Sequence, residues 1–162
     1  MRDSFYTPTW LAKRLVQYVQ GTNFQTIADF CVGDGELLRA AESRWPDSEF
    51  YGTDISKKAI SYGKYSHPNW VLGKCDFLNH LSRIRSPILN NGRAKFDLIL
   101  MNPPFSCRGG SKVAVQFENE LYFTSTAMAF LLNTFQFLKP NGCIYAIMPN
   151  SVAYSEKDSK AW

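Results

Sequence analysis

Asn102-Pro103-Pro104-Phe105 closes an apolar run, Asp97-Leu98-Ile99-Leu100-Met101. The run reads as a buried strand. The two prolines stop it and stiffen the chain behind it. An amide side chain, a fixed backbone carbonyl and an aromatic ring are thereby held at the mouth of a sheet. Two hydrogen-bond acceptors beside a ring suit a planar group that carries an NH₂. An Asn-Pro pair alone would read as a plain turn, so the weight rests on the strand, the second proline and the aromatic together.

A second group of residues suits a ligand. Asp29-Phe30-Cys31-Val32-Gly33-Asp34-Gly35 follows an apolar stretch and opens a helical one. Glycines at such a turn let a ligand approach the backbone. A dinucleotide fingerprint needs a small third residue at position 38, which is Leu38 here, and this argues against a nicotinamide cofactor. Asp54 stands about 20 residues on, where such folds place a carboxylate on ribose hydroxyls. Taken alone, Asp54 reads equally well as a helix-entry residue.

The elements that must position these groups alternate between strand and helix, which indicates an α/β fold with a parallel sheet. Residues 9–19 have helical periodicity, with Pro8 suited to the first turn. Strands are expected at 26–30, 49–53, 70–72, 96–101 and 143–148. Helices are expected at about 36–44, from Lys57 behind a Ser56 cap, and over the long apolar stretch 121–138. Lys139-Pro140-Asn141-Gly142 reads as a turn. A short polar tail follows.

Asn-Pro-Pro-Phe resembles the catalytic motif of amino-methyltransferases. The glycine stretch resembles the first motif of S-adenosyl-L-methionine (AdoMet) methyltransferases. Phe5-Tyr6-Thr7-Pro8-x-x-Leu11-Ala12 is similar to the upstream segment of DNA adenine methyltransferases of the gamma arrangement, in which the cofactor motif precedes the catalytic one. The ordered set runs from about Phe5 to Pro149 and is far more specific than any member. It implies a Rossmann-like class I AdoMet-dependent methyltransferase fold. That fold normally has seven strands, so the last two are expected to be missing. A fragment, a truncated product or half of a split enzyme would then expose a sheet edge to a second subunit or another copy.

The resemblance also assigns roles. Asp29, Phe30, Cys31, Gly33 and Gly35 would cradle the methionine part of AdoMet, with Asp29 near its amino group. Tyr6, Thr7 and Pro8 would close over the same part. Asp54 would hold the ribose, Ile55 and Phe77 would contact the adenine, and Asp76 would accept from its amine. Asn102 would border the cofactor and, with the Pro103 carbonyl, accept from the target amine, while Pro104 stiffens the turn and Phe105 stacks on an extruded base. An aryl amine is a poor nucleophile because its lone pair is delocalised. Acceptors on both N–H bonds favour a pyramidal nitrogen and stabilise the charge that grows during attack. The implied reaction is direct methylation of adenine N6 in duplex DNA. An RNA methyltransferase, a glutamine-methylating enzyme or an AdoMet-binding partner subunit are the alternatives. The glycine turn departs from the gamma pattern at Phe30 and Val32, and no target-recognition region is evident.

Composition agrees with a globular chain. Its 162 residues are 45% hydrophobic and 20% charged, enough for one domain over residues 1–162. No apolar run could span a bilayer and no signal-peptide core opens the chain. Cys31, Cys75, Cys107 and Cys143 are scattered, which suggests neither a zinc site nor disulfides, and a reducing cytoplasm is expected. The net charge of +4 is compatible with a polyanion. Arg108 and Lys112, in the glycine-containing stretch 106–112, could meet phosphates or simply be solvated. Arg83, Arg85, Arg93 and Lys95 read as surface.

Overall fold

The computed structural model describes residues 6–90, 95–105, 112–156 and 158–161. Phe5, Arg93 and residues 106–111 lie outside that set. Strands β1 (Thr26–Asp29), β2 (Glu49–Asp54), β3 (Val71–Lys74) and β4 (Phe96–Met101) join a later strand, β7 (Leu138–Ala146), in one sheet. Its order is β3-β2-β1-β4-β7, and every pairing is parallel.

Helices cover both faces, so the central strands are apolar on both sides. Ile27, Leu98 and Leu100 pack toward α1 (Thr9–Tyr18), α2 (Glu36–Arg44) and α3 (Lys57–Ser66), meeting Ala12, Val16, Leu37, Leu38 and Ile60. Ala28, Ile99 and Met101 point the other way, into a cluster with Phe30, Phe77, Phe96, Phe130 and Phe137. That alternation is the period of two expected of strands. Helix α2 spans the expected residues, and Ser56 caps α3 by accepting from the Ala59 N–H at 3.2 Å. Pro8 sits one position earlier than expected, at the N-cap of α1, where its carbonyl accepts from Ala12.

The stretch after the catalytic motif departs from expectation. The helix expected from Leu121 starts only at Thr126, as α5 (Thr126–Thr134), capped by Ser125. It gives way to a 3₁₀ turn over Phe135–Phe137. Leu121 to Thr124 belong instead to a hairpin, β5 (Val113–Phe117) with β6 (Glu120–Thr124). Glu118 and Asn119 turn it, both at positive φ, 49° and 69°. A two-residue turn of that hand matches strand twist, but glycine is its usual signal and none is present. The alternation Val113-Ala114-Val115-Gln116-Phe117 was the available clue. Only Val115 of that strand is buried, against α5.

Two further elements were not anticipated. Helix α4 (His80–Arg85) is capped by Asn79. It buries Arg83, whose guanidinium donates to the Phe77 carbonyl and lies 5.7 Å from the Phe77 ring. Arg83 is therefore not surface, whereas Arg85 and Lys95 are exposed. The polar tail folds back as α6 (Ser151–Tyr154) and a 3₁₀ turn over Ser159–Ala161. Val152 is buried, and Asp158, 1% exposed, accepts from the Ser125 N–H at 2.8 Å.

The turn at Lys139–Gly142 lies inside β7 as a bulge. Phe96 pairs with Leu138 and Leu98 with Cys143, so the intervening residues loop out. Gly142 passes so close that a Cβ there would stand 2.9 Å from the Phe96 carbonyl. Asp97 secures this end of the sheet. Its Oδ2 accepts from the Thr26 N–H at 2.9 Å, the Thr26 hydroxyl at 3.0 Å and Lys139 Nζ at 3.0 Å. Partial burial alone would raise its pKa, but bonds from Lys139 and Thr26 prevail and hold it below the usual carboxylate range. Asp97 therefore contributes stability that is fully present above pH 4 and lost as pH falls through its lowered pKa. Asp97→Ala is expected to cost about 2 kcal/mol in urea unfolding at pH 7. The cost should shrink as the pH is lowered below 4; a constant penalty would contradict this role.

Candidate active site

Every candidate residue of the core lies at the carboxyl ends of the parallel strands, Asp29 and Asp54 as the last residues of β1 and β2 and the others in the turns after β1, β2, β3 and β4. The strand order reverses between β1 and β4, and a crevice is expected at such a switch point. The glycine turn follows β1 and Asn102 follows β4, so the two stand side by side.

The glycine turn is built by its own backbone. Gly33 and Gly35 adopt φ of 52° and 81°, a region that suits glycine. A Cβ on Gly35 would also stand 2.9 Å from the Trp70 ring. The turn is tied to β2 twice. The Val32 N–H donates to the Thr53 carbonyl at 3.0 Å, and the Gly33 N–H donates to Asp54 Oδ2 at 2.9 Å. Asp54 Oδ1 accepts from the Ser56 N–H at 2.7 Å, and the Asp54 carbonyl accepts from the Cys75 N–H at 2.9 Å. Asp54 thus links the loops after β1, β2 and β3 while its side chain stays half-exposed. A carboxylate has room for further donors beyond these two.

Asp29 is buried beneath the turn, where its Oδ1 accepts from the Cys31 N–H at 2.9 Å. Burial raises its pKa to about 7, partly opposed by that bond. Cys31 is pushed up by burial and by the Asp29 charge, so it stays a protonated thiol. Glu36, at the start of α2, also lines the recess and pairs with Arg39 at 2.6 Å. Glu36 was not anticipated, although its place directly after the glycine turn was the signal.

The upstream segment reaches this centre. The Tyr6 ring lies over the glycine turn, 3.4 Å from where a Gly33 Cβ would be. Asn102 Nδ2 donates to Thr7 Oγ1 at 3.0 Å. Thr7 therefore bonds the asparagine and makes no side-chain cap for α1. Tyr6, Thr7, Cys31, Gly33, Glu36 and Asn102 enclose a recess of about 20 Å³, room for about one water molecule. The recess is polar, its backbone is bared by glycine, and the carboxylates of Asp34 and Glu36 line it, a set of groups whose chemistry suits the charged amino-acid end of a ligand.

Other candidates divide by exposure. Ile55 is 50% exposed and Phe105 39%, on the rim. Pro103 is buried and Pro104 exposed. Asp76 is half-buried, its N–H donating to the Ser82 hydroxyl at 2.9 Å. Phe30 and Phe77 differ from the other candidates in their burial. Both are at most 2% exposed, and their rings stack on each other with centroids 4.7 Å apart. Their side chains hold two loops together from below, enclosed by the aromatic cluster beneath the sheet.

The sheet order and the glycine turn define a Rossmann-like, class I AdoMet-dependent methyltransferase fold. Among the described residues it has five parallel strands, with β7 at one edge. Residues 2–161 match the N-6 DNA methylase family, and the chain belongs to that family. It is 27% identical over 135 residues to an uncharacterized protein of Mycoplasma pneumoniae, covering 78% of this chain and 28% of that one. It is 25% identical to a release factor glutamine methyltransferase of Clostridium acetobutylicum, covering 59% and 33%. The fold resembles TrmN from Thermus thermophilus, with TM-score 0.59 at 22% identity over 85% and 37% of the two chains. The chain thus spans about a third or less of the curated relatives it matches. No helix among the described residues is long and apolar enough to cross a membrane.

Burial of Asp29 has a measurable consequence. Its folded pKa lies above the unfolded value, so the folded state holds the extra proton between about pH 4 and 7. Stability should therefore fall as pH rises through that window and level off above it, by on the order of a few kcal/mol. Asp29→Asn keeps an acceptor for the Cys31 N–H and should flatten that slope in thermal unfolding. An unchanged slope would mean that Asp29 does not titrate there.

Proposed function

We propose that the chain transfers a methyl group from AdoMet to the exocyclic N6 amine of adenine in DNA. One observation carries the reading: Asn102, opening an Asn-Pro-Pro-Phe turn, borders the same recess as Gly33 at the switch point of the sheet. Membership of the N-6 DNA methylase family supports it.

AdoMet, when bound, supplies the electrophilic methyl. On the protein side, the glycine turn and Asp29 receive the methionine moiety, and Asp54 holds ribose hydroxyls through the lone pairs that Gly33 and Ser56 leave. Ile55 offers an apolar surface to the adenine, and Asp76 an acceptor to its amine. The Asn102 side-chain oxygen and the Pro103 carbonyl accept from the two N–H bonds of the target amine. Phe105, exposed on the rim, stacks on the extruded base. No side chain is asked to form a covalent intermediate, which agrees with the protonated state of Cys31. The rate comes from positioning and charge stabilisation.

A glutamine side chain carries the same planar NH₂, and the Clostridium relative favours it as the second reading. A cytoplasmic site of action belongs to this proposal. So does a second subunit, or another copy, paired along β7, which among the described residues has one strand neighbour in the sheet. Labelled methyl from AdoMet, offered to duplex DNA, structured RNA and release-factor peptide, should appear as N6-methyladenine in DNA. Label in glutamine or RNA would overturn the substrate. Asn102→Ala should lower transfer by about a thousandfold and leave AdoMet affinity within about threefold, read by calorimetry. Equal loss of both would refute the role of Asn102.

A further inference from the structure

An asparagine amide has two ends of nearly equal size and opposite hydrogen-bonding character. Shape alone does not choose between them. A target amine with two N–H bonds needs the oxygen; the nitrogen would set donor against donor. The main chain leading into Asn102 is already held, since Met101 pairs with Ala146 in the sheet and its carbonyl accepts from the Ile147 N–H at 2.9 Å. What remains open is rotation of the amide, a broad and roughly two-fold torsion.

We infer that Thr7 is the positioning residue that holds the amide against rotation, its hydroxyl accepting from Nδ2 at 3.0 Å while Oδ1 is left for a substrate amine. The inference rests on the proposed amine chemistry and adds a residue to it. Thr7 is well placed to be rigid. It precedes Pro8, which restricts it to extended backbone, and it follows Tyr6, whose ring sits over Gly33. The Pro8 carbonyl is itself committed to Leu11 and Ala12 of α1. The segment seated on the glycine turn is therefore the segment that orients the asparagine. Seating over the cofactor side and presentation of the acceptor become one event, linked through adjacent residues. Thr7 then acts on the target amine through Asn102 in addition to any contact with AdoMet.

The test compares Thr7→Val, which keeps the shape and removes the hydroxyl, with Thr7→Ser, which keeps the hydroxyl. The first readout is the Asn102 side-chain NH₂ pair in ¹H–¹⁵N spectra, identified by its loss in Asn102→Asp. Thr7→Val should shift that pair and Thr7→Ser should leave it nearly in place. The second readout is methyl transfer to adenine-containing duplex. Thr7→Val should lower kcat by about tenfold, the worth of one such bond, with the KM for AdoMet within about threefold. Thr7→Ser should restore the rate. An unmoved NH₂ pair in Thr7→Val overturns the inference, as does a raised KM with unchanged kcat. Absence of transfer by the unmodified protein to any substrate would defeat the proposed function, while the NH₂ spectra would still decide what Thr7 does.

Discussion

Leu98, Ile99, Leu100 and Met101 have no solvent exposure. Four consecutive buried side chains of a strand must be enclosed on both faces, and each contributes about 1.5–3 kcal/mol by leaving water. That requirement draws α1, α2 and α3 to one side of the sheet and the phenylalanine cluster to the other. It also fixes the end of β4. The next residue, Asn102, emerges where the proline pair forbids further strand, so the amide stands at a defined height above the sheet. The candidate chemistry depends on this one well-packed strand being unable to slide.

Asp54 performs a second unifying task with few atoms. One carboxylate oxygen holds Gly33, the other holds Ser56, and the main-chain carbonyl of the same residue holds Cys75. Three loops that belong to three different strands are thereby referred to one residue. A half-exposed carboxylate tied in this way is oriented before any ligand arrives, which lowers the ordering cost of binding. The buried carboxyl of Asp29 contrasts with it. Burial brings its pKa to about 7, so it takes up a proton near neutral pH, and an ammonium group placed beside it would favour its charged form.

Much of this was legible in the residues. Helix α2 and strand β4 were readable to the residue because each is bounded by its own chemistry, glycines before one and prolines after the other. The glycine turn, Asp54 and Asn102 could be placed at strand ends for the same reason. The hairpin β5–β6 was not, because its turn uses Glu118 and Asn119 at positive φ and its strands are half-exposed, so neither a turn signal nor a buried run announced it. The Lys139–Gly142 turn was seen, but pairing on both sides of it makes it a bulge inside β7. Arg83 looked like surface because its charge is satisfied by a carbonyl brought to it by the loop after β3.

Local sequence determined the strands of the main sheet, their parallel class, and which side chains could do chemistry, because periodicity, caps and prolines act within a few residues. Tertiary structure alone decided which aromatic rings would be scaffold: Phe30 and Phe77 stack with one another below the sheet, a contact between residues 47 positions apart in sequence. It also decided that Thr7 meets Asn102, 95 residues away. No local pattern encodes such a bond, since its partners become neighbours only when the packing of α1 and β4 brings the two chain segments together.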